Sequence, residues 1–107
     1  MDAEQIIKEA IRSMKPIKFE YLKEGKVRGV RIGNPHIIFG HSATKNISVH
    51  IFQTEGVSDT HGQLPGWRQF FLNCCHNIEV LEGREVFQIA EGYNPNSSMY
   101  GNIISKV

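Results

Sequence analysis

The sequence predicts a mainly β chain with one N-terminal helix (α+β), built on a small bent antiparallel sheet or a partly open barrel. Three observations predict it. Only one stretch, before Pro16, repeats apolar residues with a helical period. After Pro16 the apolar residues come in short alternating runs, punctuated by glycine, proline and asparagine. The length, 107 residues, accommodates one domain and not two.

The helix comes first. Asp2 is suited to an N-cap, with Gln5 three residues on to complete a capping box. Ile6, Ile7, Ala10, Ile11 and Met14 fall on one arc, and Lys8, Glu9, Arg12 and Lys15 lie outside it. Pro16 ends the pattern. A helix this short needs a surface to cover with its apolar stripe, and no second helix follows to make a helix-turn-helix.

Strands follow. Ile17 to Tyr21 alternates with period two. Lys23-Glu24-Gly25-Lys26 is a turn, and Val27 to Ile32 reads as a strand with a bulge at Gly29, where the apolar parity slips. Gly33-Asn34-Pro35 reads as a break, His36 to Phe39 as the next strand and Gly40 to Asn46 as a loop. Ile47, Val49 and Ile51 mark one face of a further strand, with Ser48, His50 and Phe52 on the other. Glu55 to Gly66 is a polar loop, and Trp67 to Leu72 is the most aromatic strand. Asn73 to Asn77 reads as irregular before a strand at Ile78 to Leu81. Val86, Phe87 and Ile89 suggest a last strand or short helix, followed by a turn-rich tail. One helix and five to seven short strands suggest a small barrel of the SH3-like or Sm-like kind.

Composition narrows the function. Apolar residues are 40% and charged residues 21%, values of a folded chain. No aliphatic and aromatic run exceeds that of Ile37-Ile38-Phe39, which is too short to cross a membrane. The acidic start does not read as a secretory signal, and adjacent Cys74 and Cys75 offer no disulfide framework, so a cytoplasmic location is expected. Seven basic residues stand against two acidic ones between Arg12 and Arg31, while the flanking stretches are net acidic. Such a basic segment suits an anion, a nucleotide or a nucleic acid.

Enzymatic chemistry finds little support. Adjacent cysteines point apart on an extended chain, and neither they nor His76 have the spacing of a zinc site. His36, His41, His50, His61 and His76 are scattered, with His41 and His61 in loops. No phosphate-binding glycine loop occurs. No nucleophile, base and orienter can be named together, so no enzyme, cofactor or metal is expected. The most informative stretch is Pro65 to Leu72. Arg68 shares a strand face with Phe70, and Trp67 shares the other with Gln69. An arginine beside a tryptophan provides a forked cation and a flat stacking surface.

The order of these features resembles that of a WYL domain. The family opens with a short helix and a strand ending in tyrosine, as do Ile6 to Met14 and Ile17 to Tyr21. It continues with an arginine strand ending in proline, like Arg31 to Pro35. Later comes a strand with an arginine and phenylalanines, like Trp67 to Leu72, and then a hydrophobic segment like Ile78 to Leu81, with Phe87 near the end. The Trp-Tyr-Leu triplet itself is absent, its place falling in Ser48 to Phe52, and Cys75-His76-Asn77-Ile78 stands where the family ends its arginine strand with Asp-Arg-Ile.

The resemblance implies one WYL-like domain over 1–107, with the helix in 1–15, the barrel in 16–90 and a C-terminal tail in 91–107. It implies a regulatory sensor that binds a nucleotide or single-stranded nucleic acid, in transcriptional or stress regulation. Arg31 and Arg68 would contact the anion, His50, Gln53 and Ser58 would add polar contacts, and Trp67 would stack or support the site. A homo-oligomer or a separate DNA-binding partner would complete the regulator. The competing reading is an SH3-like module that binds a peptide or a copy of itself. The basic segment 12 to 31 separates the two, because a ligand sensor should use it.

Overall fold

Asp2 begins the fold. In the computed structural model, which describes residues 2–59 and 63–107, its carboxylate accepts the Gln5 backbone N–H at 2.9 Å. It thereby caps helix α1 (Ala3–Ser13) and satisfies a donor that the first turn leaves free. Ile7, Ala10 and Ile11 bury the apolar stripe. Met14, expected on that stripe, instead ends the helix in a left-handed conformation at φ 55°, its N–H bonded to the Ala10 and Ile11 carbonyls.

Among the described residues, six strands follow: β1 (Ile17–Tyr21), β2 (Val30–His41), β3 (Ile47–Gly56), β4 (Gly66–Phe71), β5 (Cys75–Val80) and β6 (Tyr100–Lys106). A single 3-10 turn, Leu72–Cys74, joins β4 to β5. All pairings are antiparallel, in the order β4-β3-β2-β1-β5, with β6 also on β2. The protein is therefore mainly β with one N-terminal helix, as the sequence predicts. The six-stranded antiparallel sheet does not close on itself.

The segment read as strand, break and strand is one continuous strand, β2. β1 pairs with its Val30–Gly33 stretch and β6 with its Ile37–His41 stretch, so one edge passes from one neighbour to the other. Pro35, which has no N–H to donate, lies in the interval between them. The irregularity that glycine and proline signal is thus a pair of register shifts against β3, at Ile32/Gly33 and Pro35/Ile37, and not a chain break. Val27 to Gly29 lie outside the strand. β5 begins at Cys75, three residues earlier than expected.

Two further expectations are corrected. Val86 to Ile89 form neither strand nor helix, because Phe87 alone is buried there while Val86 and Ile89 remain exposed. The C-terminal residues are not a tail beside the sheet: Tyr100–Lys106 is a sheet strand, hydrogen-bonded along β2.

The core lies under α1. Phe19, Tyr21, Ile38, Val49, Ile51 and Phe70 pack there against Ile7, Ala10 and Ile11. Phe70 meets Phe19 and Tyr21 edge-on at 5.0 and 4.8 Å, the arrangement aromatic quadrupoles favour. No described helix is long and apolar enough to cross a membrane.

Candidate functional site

Alternation on β1, β2 and β4 brings Tyr21, Arg31 and Phe70 together at one end of this core. A cavity of about 300 Å³ opens over them. Among the described residues, its cations are Lys23 and Lys26 from the turn after β1, Arg31 from β2 and Arg68 from β4, against the one carboxylate of Asp59. Tyr21, Phe70 and Phe71 lie along it. Trp67 reaches it through its backbone carbonyl, which holds Arg68, while its ring lies on the opposite face of the sheet against His50 and Phe52.

Arg31 is the deepest of these groups, 1% exposed. Its Cζ lies 5.3 Å from the Phe70 ring centroid and 5.7 Å from that of Tyr21, close enough for cation–π attraction. Nη2 donates to the Val27 carbonyl at 2.9 Å and to Asp59 Oδ2 at 2.8 Å. A buried cation requires such partners. Burial pushes the Asp59 carboxyl up, but the Val27 N–H and the Arg31 guanidinium outweigh it and hold its pKa below the ordinary carboxylate value. Burial raises the Tyr21 phenol, whose oxygen accepts the Phe71 N–H at 3.1 Å.

Arg68 is half-buried. Its Nε donates to Ser58 Oγ at 3.1 Å and its Nη1 to the Trp67 carbonyl at 2.9 Å. The guanidinium folds back over Gly66, where an added Cβ would come within 2.8 Å of Nη1 and displace it. Gly56 is the other glycine the site depends on. At φ 97° it ends β3, and a Cβ there would sit 2.1 Å from the Val30 carbonyl oxygen. The loop carrying Ser58 and Asp59 starts at that bend.

Of the six residues singled out in the sequence, Arg31 and Arg68 bring their side chains to this one cavity, and Ser58 adjoins it through Arg68. Trp67 touches it only by the carbonyl that accepts from Arg68, so its ring, on the opposite face, does not offer the stacking surface expected. Gln53 is fully buried, donating from Nε2 to the Glu55 and Val57 carbonyls at 3.1 and 2.7 Å. It shapes the loop and does not face the cavity mouth. His50 belongs to the opposite face of β3, where Nδ1 meets the Tyr100 hydroxyl at 2.8 Å. His61 lies outside the described residues.

Lys23, Lys26 and Asp59 were not singled out. The first two carried a signal, since they sit in the basic segment, of which Lys23, Lys26 and Arg31 reach the cavity. The remaining members include Arg12, paired with Glu9, and Lys18, near Glu79 on the neighbouring strand.

A larger cavity, about 550 Å³, opens at the start of α1 beside Asp2, Glu4, Asn73 and His76. Its carboxylates disfavour an anion, and none of the six residues lines it. Burial, with the neighbouring Cys74 charge adding to it, pushes the Cys75 thiol up to about 12, the opposite of an activated nucleophile. No cluster of three or more His, Cys, Asp or Glu side chains suited to a metal occurs among the described residues.

Searches against protein-family models, curated proteins and solved structures gave no match to this chain.

Proposed function

We propose that this protein is a ligand-binding regulatory domain of the WYL kind, whose basic cavity takes a nucleotide or the end of a short single-stranded nucleic acid. The observation that supports it is the convergence of Lys23, Lys26, Arg31 and Arg68 on one cavity walled by aromatic rings. Phosphate suits forked, charge-assisted donors, and a base suits a ring to stack on. A cytoplasmic regulator fits this reading, with a second copy or a separate DNA-binding protein reporting the bound state.

Equilibrium binding of adenosine 5′-monophosphate and of a short oligothymidylate, at two salt concentrations, tests the proposal. Affinity should fall as salt rises, because bound phosphate displaces counterions. Arg68→Ala should weaken binding by about 1 to 3 kcal/mol while the fold persists. Absence of binding at low salt would reject the reading in favour of a peptide-binding or self-associating module.

A further inference from the structure

The Arg31–Asp59 pair is more than a buried ion pair. Asp59 engages Arg31 through Nη2 alone, at 2.8 Å. The Arg31 Nε–H is buried and has no acceptor among the described residues. Nε and Nη2 form one side of the guanidinium fork, the side that grips a carboxylate or phosphate at two points. Half of that grip is therefore unfilled. Asp59 is itself less deeply placed than its partner, with 19% of its side chain exposed against 1% for Arg31. Its other oxygen, Oδ1, accepts the Val27 N–H. One carboxylate thus occupies the innermost cation of the cavity and ties the loop after β3 to the turn before β2.

We propose that Asp59 is a displaceable internal counter-ion, and that the ligand's terminal phosphate monoester replaces it on Arg31. The inference rests on the anion-binding reading above and deepens it by naming the group that enters. A terminal phosphate offers three oxygens and takes both Nε–H and Nη2–H, where Asp59 takes one. Lys23, Lys26 and Arg68 offset its second negative charge. An internal phosphodiester, flanked by sugar on both sides, reaches so recessed a cation less easily. When the phosphate enters, Asp59 leaves Arg31 and releases the Val27 N–H, so occupancy of the cavity becomes a change in the loop. Until then the internal carboxylate keeps the buried guanidinium paired, and every ligand must compete with it.

The test compares wild type, Asp59→Asn and Glu24→Gln as full chains. Glu24 lies in the exposed turn beside Lys23, so its variant changes net charge equally without touching Arg31. Asp59→Asn should bind adenosine 5′-monophosphate about tenfold tighter, as removal of a competitor held in about nine molecules of ten would give. Glu24→Gln should stay within about twofold at physiological salt, where exposed charges are screened. In wild type, saturating adenosine 5′-monophosphate should move the Val27 amide resonance as its hydrogen bond is lost, and adenosine should not. Equal or weaker binding by Asp59→Asn, equal tightening by Glu24→Gln, or an unmoved Val27 amide in the saturated wild type would each overturn the proposal. The amide measurement needs no variant, so it decides even if Asp59→Asn fails to fold. Failure of the parent reading looks different: wild type and Asp59→Asn both leave adenosine 5′-monophosphate unbound, and this inference falls with it.

Discussion

The two faces of the sheet are built on different chemistry. On β3, Val49 and Ile51 point toward α1 into an aliphatic and phenylalanine core. His50 and Phe52 point the other way, into a cluster of rings. There His36 lies 4.8 Å from Trp67, 5.0 Å from Phe87 and 5.2 Å from Tyr93, and Phe39 lies 4.5 Å from Tyr100. The covering elements explain the difference. A helix satisfies most of its own backbone groups, so the surface beneath it need only be apolar. The second face is covered by residues 81–99, which have no helix or strand to pair their backbone. Its rings carry polar handles for that purpose. His36 Nε2 accepts the Ala90 N–H at 3.0 Å, and Trp67 Nε1 donates to the Glu91 carbonyl at 2.9 Å.

The sharpest break in this comparison is to empty the helix face. Phe19 is 1% exposed and touches Phe70 edge-on. Phe19→Ala should cost about 3 to 5 kcal/mol of stability by urea unfolding, from lost transfer energy and an unfilled cavity. A loss below about 1 kcal/mol would mean that this face is not close-packed.

On the second face the expected loss is smaller and polar in origin. A backbone amide only donates, so the Ala90 bond fixes the lone pair of His36 on Nε2. Nδ1 then carries the proton and donates to the Asn34 carbonyl at 2.8 Å. His36→Ala should cost about 2 to 3 kcal/mol, chiefly by leaving the Ala90 N–H without an acceptor. It should also raise hydrogen exchange across residues 81–99 more than across α1. Uniform exchange would show the two faces to be one cooperative unit.

Acid should separate the faces further. Burial lowers the pKa of His36, against the opposing Asn34 carbonyl. Burial and then the charge of His36 lower that of His50. The unfolded chain therefore binds protons first. Stability is complete above the unfolded value of about 6.5 and declines as pH falls from there toward the lowered folded values. The Asp59 contribution, held by a depressed carboxyl, is lost only on passing below the ordinary carboxylate value of about 3.9. Urea unfolding across pH should show the imidazole decline in wild type and a shallower one in His36→Phe. Identical slopes would remove His36 from the account.

The helix face was largely legible from the sequence, because its signals are local. Asp2, the 3.6-residue period and Pro16 bound α1, and alternation places Ile17, Phe19 and Tyr21 on one side of β1. The second face was not, because its cover follows no period: Val86 and Ile89 look like strand residues yet are exposed. β6 was missed because Tyr100-Gly101-Asn102 opens it without clear alternation, and β2 because Pro35 reads as a break unless its two neighbours are known. In the candidate site, Trp67-Arg68 stood out as a local pair. The burial of Arg31 did not, since it depends on Asp59, 28 residues away in a loop.

The smallest expected effect probes whether the helix face stays closed. Cys75 belongs to its core and is 5% exposed, while the adjacent Cys74 is half-buried. The Cys75 thiol donates to the Phe71 carbonyl at 3.4 Å and is held protonated by burial, with a pKa of about 12. Only the thiolate attacks a disulfide reagent. Native protein at neutral pH should therefore titrate one thiol promptly, and denatured protein two. Cys74→Ser should abolish the prompt reaction while changing stability by no more than about 0.5 kcal/mol. In that variant the residual labelling of Cys75 follows opening of the helix face. Adding His36→Ala should accelerate it only as far as global stability falls, because residues 81–99 do not cover this thiol. Labelling of Cys75 as fast as Cys74 in otherwise native protein would show that the helix face opens as readily as the other, and the contrast between them would fail.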